Sequence, residues 1–596
     1  MLLSGCHTPI DIDGWAMSLT STRQSNATLS HLPSLPKVTR NHLHGTTISL
    51  DAFRKASQLL SGPPRDVFNH ALQWATLASE HSYPCSIDAF RAAIDLLPHF
   101  LWLGSTAAQR YHDISSAENL AARAASVAIL SSEHTLALEW LEHARCVVWS
   151  QSLMLRSPLD TLHSSHPDLA TALQTVSDRL HLASSEGLIS QGAGDDSGTI
   201  ENRLRLSKEY TALLSRIRAL SGFEDFLQPK KGDAFARAAR YGPVVVINCH
   251  GQHCAALVVL PNQATVGHVP LPKVTEADAK KAQSDIKSSL WHKNIRERGV
   301  RKKGEQASED CFPAVLAALW HNIVKPVLDY LGYTNNVPTG SLPHITWCPT
   351  GILSFLPLHA AGDYSQPGSR VFDYAVSSYT PTLTALLAST PSTLTPDSRV
   401  LAIGQAATPN HTPLPGIIDE IASIEAHIGH KYGFSKLMDD QATKNAVFDA
   451  MQDHHWVHLA CHAGQNPKDP TKSGFFLHDG TLDLTTINQR SFRNKGLAFL
   501  SACQTAKGDE ELADEAVHLA SGMLMAGYPS VIATMWSVMD DDAPLVADKV
   551  YEQLMKDGKV GNGEAGRALH NAVAELRGRV GEMEFCRWVP YIHIGS

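Results

Sequence analysis

Two apolar segments of the chain each end in a side chain suited to nucleophilic catalysis. One is HHWVHLACHAG at 454–464, which contains His462, and the other is LAFLSACQTAKG at 497–508, which contains Cys503. A cysteine is a strong nucleophile only as its thiolate, which a nearby imidazole can generate and hold at neutral pH. If the two segments are neighbouring parallel strands, both side chains lie at the edge where the strands end. The pattern therefore predicts a dyad of His462 and Cys503.

Histidine-rich and cysteine-rich stretches also raise the question of a metal site. On a strand, His458 and His462 share a face but lie about 13 Å apart at roughly 3.3 Å per residue, too far to bind one metal ion. The tract CHGQHC at 249–254 falls where a β-hairpin turn is expected, and it lacks the usual two-residue cysteine spacing. Cys461, opposite to His462, is predicted to be a buried thiol. We therefore predict no metal and no cofactor.

Composition narrows the class of protein. With 596 residues, 43% of them hydrophobic, the chain should form two to four domains. A net charge of −9 with mixed signs argues against nucleic acid or an anionic membrane as a partner. There is no apolar run of roughly 18 residues, no secretory signal at the N-terminus and no disulfide-like cysteine framework. These features predict free thiols and an intracellular, cytoplasmic location.

The hydrophobic pattern divides the chain into four regions. Residues 1–45 are polar and predicted to be disordered. Residues 46–225 carry apolar residues at spacings of three and four, which indicates an all-α array resembling tetratricopeptide helix pairs with a longer period. Residues 226–312 predict a small β-hairpin or meander followed by a polar, basic linker from about residue 280. From residue 313 strands alternate with helices, which predicts a mostly parallel sheet flanked by helices.

Residues 313–596 resemble the CHAT family, the caspase-like domain associated with tetratricopeptide repeats, within the group of caspase, metacaspase, separase and gingipain proteases. The resemblance rests on VHLACHA and LSACQTAKGD together with three further motifs: CPTGILSFLPLHAAG at 348–362, LPGIIDEIASI at 414–424 and RWVPYIHIG at 587–595. It implies a caspase-like α/β fold and cysteine-dependent peptide-bond hydrolysis. His462 maps onto the family's histidine and Cys503 onto its nucleophile.

The resemblance also suggests roles for neighbouring residues. The backbone N–H groups of Cys503 and Ala463 would hold the oxyanion. Ser501 stands two residues before the nucleophile, where metacaspases carry an acidic residue, and the tract SACQT departs from the caspase signature. Neither a basic nor an aspartate preference is therefore implied. Glu515 and Asp540 occupy acidic positions of the family, either in the substrate pocket or as helix caps and loop anchors.

Two classes of function follow from these observations. The first is a cysteine endopeptidase acting on a protein or peptide substrate and regulated by a protein partner that binds the helical region. The alternative is a non-catalytic interaction scaffold built on a vestigial caspase-like fold. Another acyl transfer on the same dyad, such as a thioesterase, is a lesser hypothesis. The presence of both His462 and Cys503 favours the protease, because a scaffold has no chemical reason to keep the pair.

Overall fold

Buried side chains form one large cluster in the C-terminal α/β half and further clusters among the N-terminal helices. The computed structural model describes residues 49–59, 62–81, 83–117, 119–156, 159–186, 196–293, 310–335, 340–429, 431–466, 470–490, 492–508, 513–515 and 518–596. The predicted disordered segment 1–45 lies outside the described residues, as does nearly all of the basic stretch from Lys293 to Lys303.

The described residues of the N-terminal half up to residue 218 are helical apart from their connections. Residues 49–57 are helical, and nine further helices follow: α1 (Pro64–Glu80), α2 (Ser86–Phe100), α3 (Ala107–Ser115), α4 (Leu120–Leu130), α5 (His134–Ala144), α6 (Val147–Met154), α7 (Asp160–Ser165), α8 (Pro167–Glu186) and α9 (Asp196–Arg218). In α1 the buried residues Phe68, Ala71, Trp74, Ala75 and Ala78 repeat at three and four positions, as expected for one apolar face. The predicted all-α array is confirmed, and its tetratricopeptide character stays a prediction.

The C-terminal half is organised around one large sheet. Its strands and those of two small sheets are β1 (Val244–His250), β2 (His253–Val259), β3 (Gly267–Pro270), β4 (His344–Pro349), β5 (Val376–Tyr379), β6 (Ser392–Thr393), β7 (Arg399–Gly404), β8 (Gly433–Met438), β9 (Trp456–Ala460), β10 (His462–Gly464), β11 (Gly474–Leu477), β12 (Gly480–Asp483), β13 (Leu497–Ser501), β14 (Ser530–Thr534), β15 (Lys559–Val560) and β16 (Tyr591–Gly595). The large sheet has the order β3-β2-β1-β4-β5-β16-β14-β13-β9-β7-β8.

Helices cover this sheet, as the alternating pattern predicted. They are α10 (Glu276–His292), α11 (Phe312–Leu319), α12 (Lys325–Tyr330), α13 (Leu383–Ala388), α14 (Gly416–Ile428), α15 (Lys444–Asp453), α16 (Leu484–Ile487), α17 (Leu519–Ala526), α18 (Ala543–Leu554), α19 (Glu564–Val580) and α20 (Phe585–Trp588), with a π-helical segment at Trp320–Val324. The central strands β9, β13 and β14 are buried along their whole length, which explains their continuous apolar sequences.

Strand direction reverses at the centre of the sheet and again within the β1-β2-β3 meander. Strands β14, β13, β9, β7 and β8 are mutually parallel, and so are β16, β5, β4 and β1. The pair β14/β16 between them is antiparallel. The predicted mostly parallel sheet is thus confirmed, and the carboxyl ends of β7, β9, β13 and β14 lie together at one edge.

The predicted hairpin extends the large sheet. Strands β1 and β2 pair antiparallel, and β1 also pairs in parallel with β4. Cys249 and Cys254 face each other across the hairpin and are joined as a disulfide. The prediction of free thiols is therefore wrong for this pair, whose close approach depends on the hairpin register.

A helix lies in the segment predicted to be the start of the linker. Helix α10 begins with a capping box, in which Thr275 accepts from the Asp278 backbone N–H and Asp278 accepts from the Thr275 N–H. Its inner face buries Ala279, Gln283 and Ile286. The high content of lysine and serine hid this helix, because few apolar positions mark its buried face. Within the part of the chain that the structure describes, no helix is long and apolar enough to cross a membrane.

A chain of buried hydrogen bonds crosses four adjacent strands of the sheet. His344 Nε2 lies 2.7 Å from Ser378 Oγ, which lies 2.6 Å from His593 Nδ1, and His593 Nε2 lies 2.8 Å from Ser530 Oγ. Burial lowers the pKa of His344 to about 4 and that of His593 to about 3. Both imidazoles are therefore neutral at physiological pH, when each ring can donate one hydrogen bond and accept another.

These histidines should make the fold sensitive to acid. Below the unfolded-state pKa of about 6.5, these histidines bind protons in the unfolded chain but stay unprotonated in the native protein. The free energy of unfolding therefore falls as the pH drops. Between pH 6.5 and pH 5 each histidine should cost about 2 kcal/mol of unfolding free energy. Urea unfolding of the wild type and of His344→Gln at both pH values checks this. The variant should lose less stability on acidification, and equal losses would contradict the assignment.

Candidate active site

The pairing of β9 with β13 brings the predicted dyad residues to one edge of the sheet. The two strands are parallel neighbours, and Ala460 of β9 lies opposite Ser501 of β13. His462 and Cys503 each follow two residues later, beyond the ends of the two strands and at the same edge of the sheet. Each residue is only 4% exposed.

His462 is held by the segment that precedes α14. Its Nε2 lies 2.8 Å from the backbone oxygen of Thr412, a bond in which the ring nitrogen donates. The proton of the neutral ring is therefore on Nε2, and Nδ1 is the proton acceptor. The ring of His411 lies 5.0 Å from the His462 ring and 4.6 Å from that of Phe476 on β11. The hydrogen bond to Thr412 and the contact with His411 both help to orient the imidazole.

Asp540 anchors the segment that contains Thr412. Its Oδ2 accepts a 2.7 Å hydrogen bond from the backbone N–H of Gly416, the first residue of α14. A Cβ atom at Gly416 would lie 2.5 Å from the backbone oxygen of Asp540, so only glycine permits this approach. The Leu414 N–H also donates to the Ala406 oxygen at 2.8 Å, which ties the segment to the end of β7. Asp540 therefore serves as a helix cap in this structure.

Cys503 lies in the turn that follows β13. The next residue, Gln504, has a φ of +57°, in the left-handed region, so the chain turns sharply after Cys503. Thr505, which is fully buried, accepts from the Thr534 N–H through Oγ1 and from the Ala520 N–H through its backbone oxygen, both at 2.9 Å. The turn is thereby attached to the end of β14 and to the first turn of α17.

The remaining predicted site residues lie at the same edge. Ser501 is the last residue of β13 and is fully buried. Ala463 is the middle residue of β10, opposite Phe475 of β11, and is partly exposed. The oxyanion roles of Ala463 and Cys503, and the pocket role of Ser501, stay predictions.

Glu515 connects the C-terminal half to the helical region. Its two carboxylate oxygens accept from the backbone N–H groups of Val147 and Val148, the first residues of α6, at 3.0 and 3.1 Å. Beside it, Asp514 accepts from Arg145 Nε at 2.9 Å, and Arg145 is only 3% exposed. Burial raises the pKa of Glu515 to about 7. In this structure Glu515 is a helix cap, and its predicted pocket role stays untested.

A reciprocal contact runs in the opposite direction. Glu142 of α5 accepts from the backbone N–H groups of Leu383 and Thr384, at the start of α13, at 2.8 and 3.0 Å. Trp149 Nε1 of α6 also donates to the Ser521 oxygen in α17 at 3.3 Å. Helix α17 is the one that holds Thr505. The helical region therefore contacts the element that supports the turn beginning at Cys503, the candidate nucleophile; this turn is called the nucleophile turn below.

The other histidine and cysteine candidates have structural surroundings. His458 is fully buried, with its Nε2 3.1 Å from Oε1 of the equally buried Glu420. Cys461 is also fully buried. Among the described residues there is no group of three or more His, Cys, Asp or Glu side chains arranged to hold a metal ion.

Three contacts at the site were missed by sequence reasoning. They involve the backbone oxygen of Thr412, the ring of His411 and the side chain of Gln465, whose amide nitrogen donates to the Gln504 oxygen at 3.4 Å. A backbone oxygen has no sequence signal. Gln465 stands only three residues after His462, so proximity to the predicted base could have indicated it.

The C-terminal half is thus an α/β domain in which a histidine and a cysteine follow neighbouring parallel strands. The model of the CHAT domain family matches residues 313–596, so the C-terminal half of this chain is a CHAT domain, as its motifs predicted. No curated protein matches the chain in sequence.

Solved structures of proteases show a distant likeness. The Saccharomyces cerevisiae separase–securin complex is 10% identical with a TM-score of 0.40, over 93% of this chain and 46% of that chain. The Arg-specific cysteine proteinase gingipain R is 14% identical with a TM-score of 0.34, over 53% of this chain and 75% of that chain. The complex of Porphyromonas gingivalis RgpB pro- and mature domains is 13% identical with a TM-score of 0.34, over 53% of this chain and 77% of that chain. This chain thus spans less than half of the separase chain that it matches.

Removal of the Asp540 cap should destabilise the segment that holds His462. We expect Asp540→Ala to lower the free energy of unfolding by about 0.5–2 kcal/mol, whereas Asp540→Asn, which keeps an acceptor oxygen, should cost much less. Urea unfolding gives both values, and hydrogen exchange should show faster exchange of the Gly416 amide in Asp540→Ala. Equal losses in the two variants would show that the cap does not stabilise this segment.

Proposed function

We propose that the chain is a CHAT-domain cysteine protease that hydrolyses peptide bonds with His462 and Cys503. One observation carries the proposal: within a CHAT domain, both side chains follow neighbouring parallel strands at equal distances from a paired register position. An imidazole beside a thiol at a strand edge is the arrangement that nucleophilic catalysis requires.

The residues support a conventional acyl-enzyme mechanism. His462 Nδ1 takes the proton from the Cys503 thiol, while Nε2–H stays bonded to the Thr412 oxygen. The thiolate attacks the carbonyl carbon of the substrate, and backbone N–H groups of Ala463 and Cys503 stabilise the oxyanion. His462 then gives its proton to the departing amine as the carbon–nitrogen bond breaks. Water, deprotonated by His462, attacks the thioester, releases the acid and restores the thiol.

The helical region is proposed to regulate this site through a protein partner. Both dyad side chains are 96% covered in this structure, so a substrate needs the site to open. Helix α6 contacts Glu515 and the α17 element that supports the nucleophile turn. A partner that shifts α6 therefore has a direct route to the active site. In this proposal the substrate is a protein or peptide, and the partner is a protein that binds the helical region.

The protease proposal is tested by covalent labelling of Cys503. Full-length protein is incubated with acyloxymethyl-ketone peptides that differ at the P1 residue, alone and with cell extract, and the product is read by intact mass and peptide mapping. We expect labelling at Cys503 that is lost in both Cys503→Ala and His462→Ala. If no peptide labels Cys503 under either condition, the protein is instead a scaffold on a vestigial fold.

The regulatory proposal is tested at the Glu515 contact. Glu515→Ala removes the acceptor from two N–H groups in a buried interface, which should cost about 1–3 kcal/mol for each unsatisfied group. We expect faster hydrogen exchange at Val147 and Val148 and at least a threefold change in the rate of Cys503 labelling. Glu515→Gln, which keeps one acceptor oxygen, is the matched variant and should lie between Glu515→Ala and the wild type. Faster exchange with unchanged labelling would contradict coupling between α6 and the dyad.

The same contact should depend on pH. Because burial raises the pKa of Glu515 to about 7, the folded protein holds a proton that the unfolded chain releases above pH 4.5. The contribution of Glu515 to stability therefore falls as the pH rises from about 4.5 through 7. Asp514 adds to this effect and Arg110 opposes it. We measure the unfolding free energy of the wild type and of Glu515→Gln from pH 5 to pH 8. As the pH rises, the wild type should lose stability relative to Glu515→Gln.

A further inference from the structure

We infer that Gln465 is a positioning residue that holds the nucleophile turn against the histidine strand. It lies just beyond β10, three residues after His462, and its side-chain amide reaches the turn that begins at Cys503. The inference rests on the proposed function, since it concerns the alignment of the same dyad.

The amide nitrogen of Gln465 bonds to both ends of the turn. Its Nε2 donates to the backbone oxygen of Gln504 at 3.4 Å and to that of Lys507. The Lys507 N–H also donates to the Gln504 oxygen at 3.1 Å, which closes the turn. The two carbonyl groups thus converge on one side-chain donor, so a displacement of Gln465 relative to the turn would lengthen at least one of these bonds.

The amide oxygen of Gln465 is held from the other side. Ser473, fully buried at the start of β11, donates its hydroxyl hydrogen to Gln465 Oε1 at 3.1 Å. The hydroxyl oxygen of Ser473 accepts from the Asn466 N–H at 3.1 Å, which leaves its proton for Gln465. The direction of the amide follows from this chain, because Oε1 must face the hydroxyl and Nε2 must face the two carbonyl groups.

Gln465 thereby complements the contacts that each catalytic residue has on its own side. His462 is fixed toward Thr412, and the nucleophile turn is fixed toward β14 and α17. These contacts belong to different elements, so they do not by themselves set the separation of Nδ1 and Sγ. The amide of Gln465 joins the two sides directly. The rate of proton transfer falls steeply when donor and acceptor are misplaced. Loss of the Gln465 link should therefore lower the fraction of Cys503 present as thiolate.

The test measures thiolate formation without a substrate. Full-length wild type, His462→Ala, Gln465→Met and Ser473→Ala are treated with methyl methanethiosulfonate from pH 5 to pH 9, and modification of Cys503 is followed by peptide mass spectrometry. Gln465→Met keeps the length of the side chain but removes all its hydrogen bonds. The matched control is Gln553→Met on α18, which loses the hydrogen bond that Gln553 accepts from Asn571 on α19. Thermal unfolding confirms that each variant is folded.

We expect the midpoint of Cys503 modification to rise by about one pH unit in Gln465→Met, equivalent to about a tenfold slower reaction near neutral pH, and to rise further in His462→Ala. Ser473→Ala should have a smaller effect and Gln553→Met none. The partly exposed thiols Cys85 and Cys311 should keep the wild-type profile in every variant. A role for Gln465 in folding alone would lower thermal stability without moving the midpoint.

Two other results separate the inference from the proposed function. If Gln465→Met matches the wild type while His462→Ala does not, the inference is wrong and the dyad stands. If His462→Ala matches the wild type, the dyad itself is absent and the inference falls with it.

Discussion

The parallel register between β9 and β13 is the constraint on which the site depends. Both strands are buried on both faces, and Ala460 lies opposite Ser501 at their last paired position. A slip of one residue would turn every side chain of one strand to the other face of the sheet. Either Cys461 or Ala463 would then occupy the position of His462, the candidate partner of Cys503. The packing that excludes this slip therefore also defines the candidate dyad.

Among the described residues, at least three carboxylates hold helix N-termini contributed by distant parts of the sequence. Glu142 binds the start of α13, Glu515 the start of α6, and Asp540 the start of α14. The first turn of a helix has backbone N–H groups without partners and a partial positive charge, so a carboxylate meets both needs. Because a buried carboxylate is costly unless it is hydrogen-bonded, each contact is specific in position. Two of them join the helical region to the CHAT domain, and the third supports the segment beside His462.

The sequence was sufficient for the elements whose own residues determine them. The apolar runs before His462 and Cys503 indicated buried parallel strands, and the spacing in residues 64–80 indicated an amphipathic helix. Contacts between distant elements were not accessible in this way. The parallel pairing of the 244–250 strand with β4, the oxygen of Thr412 and the capping role of Glu515 all depend on tertiary approach. Helix α10 was missed for a local reason, because its exposed lysines and serines dominate its composition.

The contacts of the turn that begins at Cys503 provide a route for the proposed regulation by the helical region. Thr505, two residues after Cys503, is bonded to Ala520 in α17, and the next residue of that helix, Ser521, accepts from Trp149 of α6. Two hydrogen bonds, one on each side of α17, therefore connect the helical region to the turn. Close-packed interiors transmit strain, so we expect a displacement of α6 to be passed through α17 to the turn. On the far side, Gln465 links the same turn to the histidine strand. A movement imposed by the helical region would accordingly change the alignment of thiol and imidazole, which is the quantity that sets the thiolate fraction of Cys503.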